Sequence, residues 1–191
     1  MRRNGFTGDI WPDEIQELLL RAALLPGAHA AAAWAAVRPR IDIDHLPGEL
    51  HRLMPPLSKA LAAHGVDDPE LPRLKGVYQF SWYRNQLLFA DAAVVLGALE
   101  AAGVSTMLLR GAAMAVAYYG DVGVRLMNDV DVLVREGEIE RARRVADAEG
   151  WRPVAGSERF ERREAAAVLG NDQGRVVRLH WQPSRNLSLP R

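Results

Sequence analysis

The stretch Arg125-Leu126-Met127-Asn128-Asp129-Val130-Asp131-Val132-Leu133-Val134 carries two carboxylates one residue apart in a run rich in β-branched residues. Successive side chains of a strand point to opposite faces, so Asp129 and Asp131 share one face while Val130, Val132 and Val134 enter a core from the other. The spacing predicts an anionic ledge held in place by the burial behind it. Such a ledge suits Mg²⁺, which prefers hard oxygen ligands and keeps water or substrate phosphates in its remaining positions, so one or two carboxylates on a rigid strand suffice. Nucleotide chemistry is the function this pattern points to, although acidic pairs also end exposed strands.

Upstream, Met107-Leu108-Leu109-Arg110-Gly111-Ala112-Ala113-Met114-Ala115 reads as a short apolar strand that turns at Gly111 into an alanine-rich helix. A glycine there lets backbone approach a phosphate closely, and a helix start offers unpaired N–H groups to an anion. Arg110 adjoins this turn, where its guanidinium could pair a phosphate or the acidic ledge itself, and Arg125 precedes Asp129 on a glycine-rich stretch, from which it could reach a phosphate brought to the ledge. An ordinary surface arginine is the alternative for both. Downstream, Arg178 and His180 in Arg178-Leu179-His180-Trp181 share a strand face, which directs both toward the same cleft. His180 is read either as a group that orients substrate or acts as a base, or as a hydrogen-bonded structural residue. Asn128 is read as a turn residue bonding its own backbone.

The order strand, glycine turn, helix, Asp-x-Asp strand resembles the nucleotidyltransferase (DNA polymerase β-like) superfamily, in the form carried by an uncharacterised bacterial branch. The resemblance rests on Arg110-Gly111-Ala112, on Arg125 through Val134 and on Leu179-His180-Trp181, and the helical region from Trp11 onward is similar too. It implies Asp129 and Asp131 as catalytic and metal-binding residues, and Arg110, Gly111, Ala112 and Arg125 as nucleotide- and phosphate-binding residues. Arg178 and His180 are then substrate-side candidates. It further implies two Mg²⁺ ions in an active site, a nucleoside triphosphate substrate, and transfer of a nucleoside monophosphate to an acceptor hydroxyl of a peptide, protein or small molecule.

Two departures qualify the resemblance: Ala112 replaces the Gly or Ser usual in the turn, and Arg178 stands where the third carboxylate is expected. At ~5 Å and an effective dielectric of ~20, a unit charge facing a divalent ion is worth roughly 7 kcal/mol, so a cation in place of an anion opposes a two-metal site. A catalytically degenerate module that binds a nucleotide or a protein is therefore the alternative function. Glu161, Glu164 and Asp172 are the nearby acids that could substitute, with Asp172 expected at the solvent tip of a hairpin turn.

The elements that position these residues divide by period. From Trp11 to about Gly103 the signal is helical. Ile15, Leu18, Leu19 and Ala22 fall on one face behind Pro12, and a second helix over 28–37 is stopped by Pro39. A third, around 50–64, is kinked or split at Pro55-Pro56. A long helix follows Asp67-Asp68-Pro69, with Tyr78, Trp82, Asn85, Phe89, Ala92, Leu96 and Leu99 at helical spacing. Its aromatic cluster Tyr78, Phe80, Trp82 and Tyr83 is assigned to the core. After Gly103 the pattern predicts strands at 106–109, 129–134 and 151–154, helices at 112–119 and 137–149, and a hairpin of 159–168 with 175–181 around Asn171.

The expected fold is α+β: a helical region, 1–103, packed on a small nucleotidyltransferase-type mixed sheet with flanking helices, 104–191. Relatives continue beyond the Leu-His-Trp strand into a further helical region, which leaves C-terminal truncation open.

Composition narrows the partners. Of 191 residues, 24 are basic and 24 acidic, so there is no overall positive field of the kind that draws polymeric nucleic acid. The absence of cysteine excludes disulfide and thiolate chemistry. No run approaches the ~20 apolar residues of a membrane helix, and the N-terminus lacks a signal-peptide pattern, so a cytoplasmic location is expected. Twenty-two arginines against two lysines suggest a GC-rich bacterial genome rather than a function.

Overall fold

The computed structural model describes residues 11–157, 163 and 165–183, and divides into two compact units between Phe80 and Ser81. In the first, Asp13 caps helix α1 (Glu14–Leu24) with a reciprocal pair: its Oδ1 accepts from the Gln16 amide at 2.8 Å, and Gln16 Oε1 accepts from the Asp13 amide at 3.0 Å. Leu19 and Ala22 are buried, with Ile15 and Leu18 packed beside them, as the spacing predicts. Helix α2 (Gly27–Val37) buries Trp34, whose indole N–H donates to Asp68 at 3.0 Å. The proline pair separates two helices instead of kinking one. Helix α3 (Gly48–His51) ends first, and Pro55 and Pro56 then occupy the opening turn of α4 (Met54–Ala63), where a missing N–H costs no helical bond. Leu57, Leu61, Met54, Trp34 and Leu74 form the centre of this core.

Helix α5 (Leu71–Ala101) runs for 31 residues through the division between the units. Its buried line in the second unit is Ser81, Asn85, Leu88, Ala92, Val95 and Leu99. The aromatic cluster is not core: Phe80, Trp82 and Tyr83 are 56%, 43% and 59% exposed. From Asn85 onward the expected stripe faces the core, with Asn85, Ala92 and Leu99 buried and Phe89 and Leu96 packed beside them, whereas at its start the small Ser81 takes the inner position and Trp82 points outward.

The second unit is a five-stranded mixed sheet in the order β1-β2-β5-β4-β3, built from β1 (Thr106–Leu109), β2 (Asp129–Val134), β3 (Arg152–Pro153), β4 (Ala166–Gly170) and β5 (Val176–His180). Among the described strands β2 and β5 pair in parallel and the other neighbours antiparallel. Val130, Val132, Val134, Val177, Leu179, Ala167 and Leu169 share one core with Leu88, Ala92, Val95 and Leu99 of α5 and with Ala142 and Ala146 of α7 (Ile139–Ala148). The fold is α+β, as expected, and β2 has the predicted bounds.

The connection from β1 differs from its reading in two ways. The tight bend is at Arg110, whose φ of 51° puts an arginine in the left-handed region, while Gly111 lies within α6 (Arg110–Ala113) with ordinary φ. The helix then widens to π-type hydrogen bonding over Met114–Tyr119 and ends at Gly120, φ 61°. At the other hairpin, Asn171 Oδ1 accepts from the Gln173 and Arg175 amides, and Asp172 is exposed at the tip, as predicted. The expected strand over 159–168 is described only from Ala166, and Glu161 and Glu164 lie outside the described residues.

Candidate functional site

Strand register assembles the site. Parallel pairing sets Asp131 opposite Arg178 and Asp129 opposite Val176. Antiparallel pairing sets Leu109, the residue before the bend, opposite Asp131. Alternation then gathers Asp129, Asp131, Arg178 and His180 on one face, opposite the valine face that fills the core.

Contacts among these side chains are close. Arg178 Nη2 lies 2.8 Å from Asp129 Oδ2, and its Nη1 lies 3.8 Å from Asp131 Oδ1. Arg110, turned by its left-handed backbone, places Nη1 3.5 Å from the same Asp131 oxygen. His180 Nε2 is 2.7 Å from Asp131 Oδ1. Burial raises the pKa of Asp129 above the usual carboxylate range, opposed by the Arg178 charge and reinforced by Asp131. Burial acts the same way on Asp131, but the His180 hydrogen bond and the charges of His180, Arg110 and Arg178 outweigh it and hold Asp131 below that range.

Two sequence candidates take different positions from those expected. Ala112 is buried in the sheet core, so its side chain supports the helix and is not offered to a phosphate. His180 has no exposed surface, so it reaches the cleft through Asp131 and not by touching a ligand itself. Gly111 has a packing reason to be small: a Cβ there would meet Arg125 Nε at 3.2 Å and Met127 Sδ at 3.4 Å. Arg125 thus lies over the Gly111 backbone, which brings Arg110, Gly111 and Arg125 to one corner. Asn128 is exposed at the start of the strand.

Asn85 is the residue that sequence reasoning missed. Fully buried on α5, its amide nitrogen donates to the carbonyls of Val122 and Arg125 at 2.5 and 2.6 Å, and its Oδ1 accepts from the Met127 amide at 3.0 Å. It therefore fixes the segment that delivers Asp129 to the ledge. A carboxamide inside an otherwise apolar helical stripe was the available signal, because a buried polar side chain needs partners.

A divalent metal at the ledge would draw its protein ligands from Asp129 and Asp131. The shortest contacts use one oxygen of each carboxylate, Asp129 Oδ2 and Asp131 Oδ1, which leaves the second oxygen of each as a hard ligand atom. That fits one ion. Among the described residues no cluster of three or more His, Cys, Asp or Glu side chains is arranged to hold a metal, and the strand position expected for a third acid is Arg178. Among the described residues a second ion lacks its ligand. No helix among the described residues is long and apolar enough to cross a membrane.

A protein-family model described as an uncharacterised nucleotidyltransferase matches residues 48–190. No curated protein and no solved structure matches the chain.

Proposed function

Because the chain belongs to this uncharacterised nucleotidyltransferase family, we propose that it binds a nucleoside triphosphate with one Mg²⁺ at the Asp129/Asp131 ledge and transfers the nucleoside monophosphate to an acceptor hydroxyl. The observation that carries this reading is the ledge itself: two carboxylates on one strand face, beside a bend that brings Arg110 to Asp131 at 3.5 Å. Asp129 and Asp131 would hold the ion, which when bound supplies charge neutralisation to the phosphates. His180 fixes the rotamer of Asp131 from beneath, as an outer partner does for a metal ligand. Arg110 and Arg125 offer guanidinium forks to phosphate oxygens. In the transfer the acceptor oxygen bonds to the α-phosphorus as the bond from that phosphorus to the oxygen bridging to the β-phosphate breaks, pyrophosphate leaves in line, and the hydroxyl proton passes to solvent.

Arg178 favours a second reading, binding without turnover. A guanidinium has neither lone pair nor proton-accepting capacity, so it cannot replace a carboxylate as metal ligand or base. The two readings share the ledge and separate on product. Nucleotide affinity of the wild type should fall on removing Mg²⁺ and in the double variant Asp129→Ala, Asp131→Ala, and affinities that do not differ would remove the ledge from the function. Pyrophosphate release in the presence of candidate acceptors then distinguishes transfer from binding alone.

A further inference from the structure

The ledge is already balanced. Two carboxylates, Asp129 and Asp131, face two guanidiniums, of which Arg178 reaches both acids at 2.8 and 3.8 Å and Arg110 reaches Asp131 at 3.5 Å. We propose that Arg178 is an internal counterion that competes directly with divalent metal for Asp129 and Asp131, so that the ledge accepts metal tightly only when a polyphosphate is present to receive the guanidinium. The inference rests on the nucleotide-binding reading of this site and adds the order of events: metal alone is excluded, and nucleotide admits it.

Geometry supports the competition. Parallel pairing puts Arg178 directly across from Asp131, so its guanidinium starts from the strand position that a third metal ligand would use. Its side chain is only partly buried, 27% exposed, which leaves the long stem room to swing, whereas His180 behind it is sealed and keeps its grip on Asp131. Arg178 is thus the charge that can exchange partners, and His180 the sealed support. A planar fork that pairs with carboxylates pairs equally well with phosphate oxygens, so moving from one to the other exchanges like interactions. A metal arriving without phosphate has to break the Asp129 pair and then sit beside a cation with no new partner.

Direct titration of the intact chain with Mn²⁺ alone tests this. Wild type is expected to bind weakly, and Arg178→Gln to bind roughly tenfold tighter or more, the gain set by removing one like charge within a few ångströms of the ion. Arg178→Lys keeps the charge and is expected to stay within about threefold of wild type. Tripolyphosphate without metal is the second probe, and Arg178→Gln is expected to bind it at least about fivefold more weakly than wild type.

Equal Mn²⁺ affinity in wild type and Arg178→Gln, or a gain in Arg178→Lys as large as in Arg178→Gln, would overturn the competition. So would micromolar Mn²⁺ binding by the wild type itself, a measurement that stands even where a variant does not fold. Nucleotide binding by the wild type is read separately, so its failure strikes the proposed function, whereas its success with no Arg178 effect strikes only the competition.

Discussion

Residues at this site are held under load, and Arg110 shows it most directly. An arginine at φ 51° costs about 1–2 kcal/mol relative to a right-handed conformation, a cost a glycine there would not carry. Arg110→Gly is therefore expected to raise the melting temperature slightly while weakening nucleotide binding; a variant that loses stability instead would show that the Asp131 contact outweighs the strain.

The two acids separate by pH. Asp131, with its pKa depressed in the folded state, contributes stability that is present above the ordinary aspartate value of about 4 and is lost as pH falls through the lower folded value. Asp129, with its pKa raised, behaves oppositely: its contribution is largest in acid and is lost as pH rises through the folded value. At neutral pH, Asp131→Asn should thus cost more stability than Asp129→Asn, and it should flatten the acid limb of the melting curve. Thermal melts from acid to neutral pH measure both, and a larger loss at Asp129 would contradict the assignment. The acid pair, its partner face and the departure at Arg178 were legible in the sequence, because strand alternation is a rule of two. Pairing of that arginine with Asp131 or with a triphosphate was a sequence-level reading, but its shorter contact with Asp129 was not, because a long side chain has many rotamers and only the folded geometry decides which acid it meets.

Elements explain where reading the sequence stopped. Strand β2 was placed to the residue because valines at alternate positions leave one register that buries them all. Helix α5 was placed with the right inner side from Asn85 to Leu99, but not at the aromatic cluster, where apolar residues surround the helix and Ser81 takes the buried position. That difference has a measurable consequence. Trp82→Ala, on the exposed side, should change stability by no more than about 0.5 kcal/mol. Asn85→Ala strips one amide of its acceptor and two carbonyls of their donor inside the core, and should cost about 3 kcal/mol. It should also weaken nucleotide binding, because the freed 122–127 segment carries the approach to Asp129. Denaturant melts of the two variants rank them, and a Trp82 effect as large as the Asn85 effect would return the aromatics to the core. The bend before α6 was misplaced by one residue: glycine is the usual left-handed residue, but here Arg110 takes that conformation, and Gly111 is instead small where Arg125 and Met127 pack over it.

At the scale of the molecule, the described residues form two separate cores with no shared buried member. Leu57, Trp34 and their neighbours fill one within residues 1–80, and the valine face of the sheet with Leu88, Val95 and Leu99 fills the other within 81–191. Every ledge residue belongs to the second. The change from helices to strands follows α5, at Thr106, whereas the division into compact units falls inside that helix, which composition could not reveal because both halves are helical. If each core sustains its own unit, damage should stay local. Leu57→Ala and Leu179→Ala each remove a fully buried leucine and should each cost about 2–5 kcal/mol. Hydrogen exchange is expected to show lost protection in α1, α2 and α4 for the first and in β2, β4 and β5 for the second. Nucleotide affinity should survive Leu57→Ala at temperatures below its melt and fall in Leu179→Ala, since Leu179 sits between Arg178 and His180 on β5 and a cavity beneath it loosens both. Loss of protection across both units from either substitution would mean that α5 couples them into one cooperative body, and the helical unit would then have to be counted among the structures that hold the ledge.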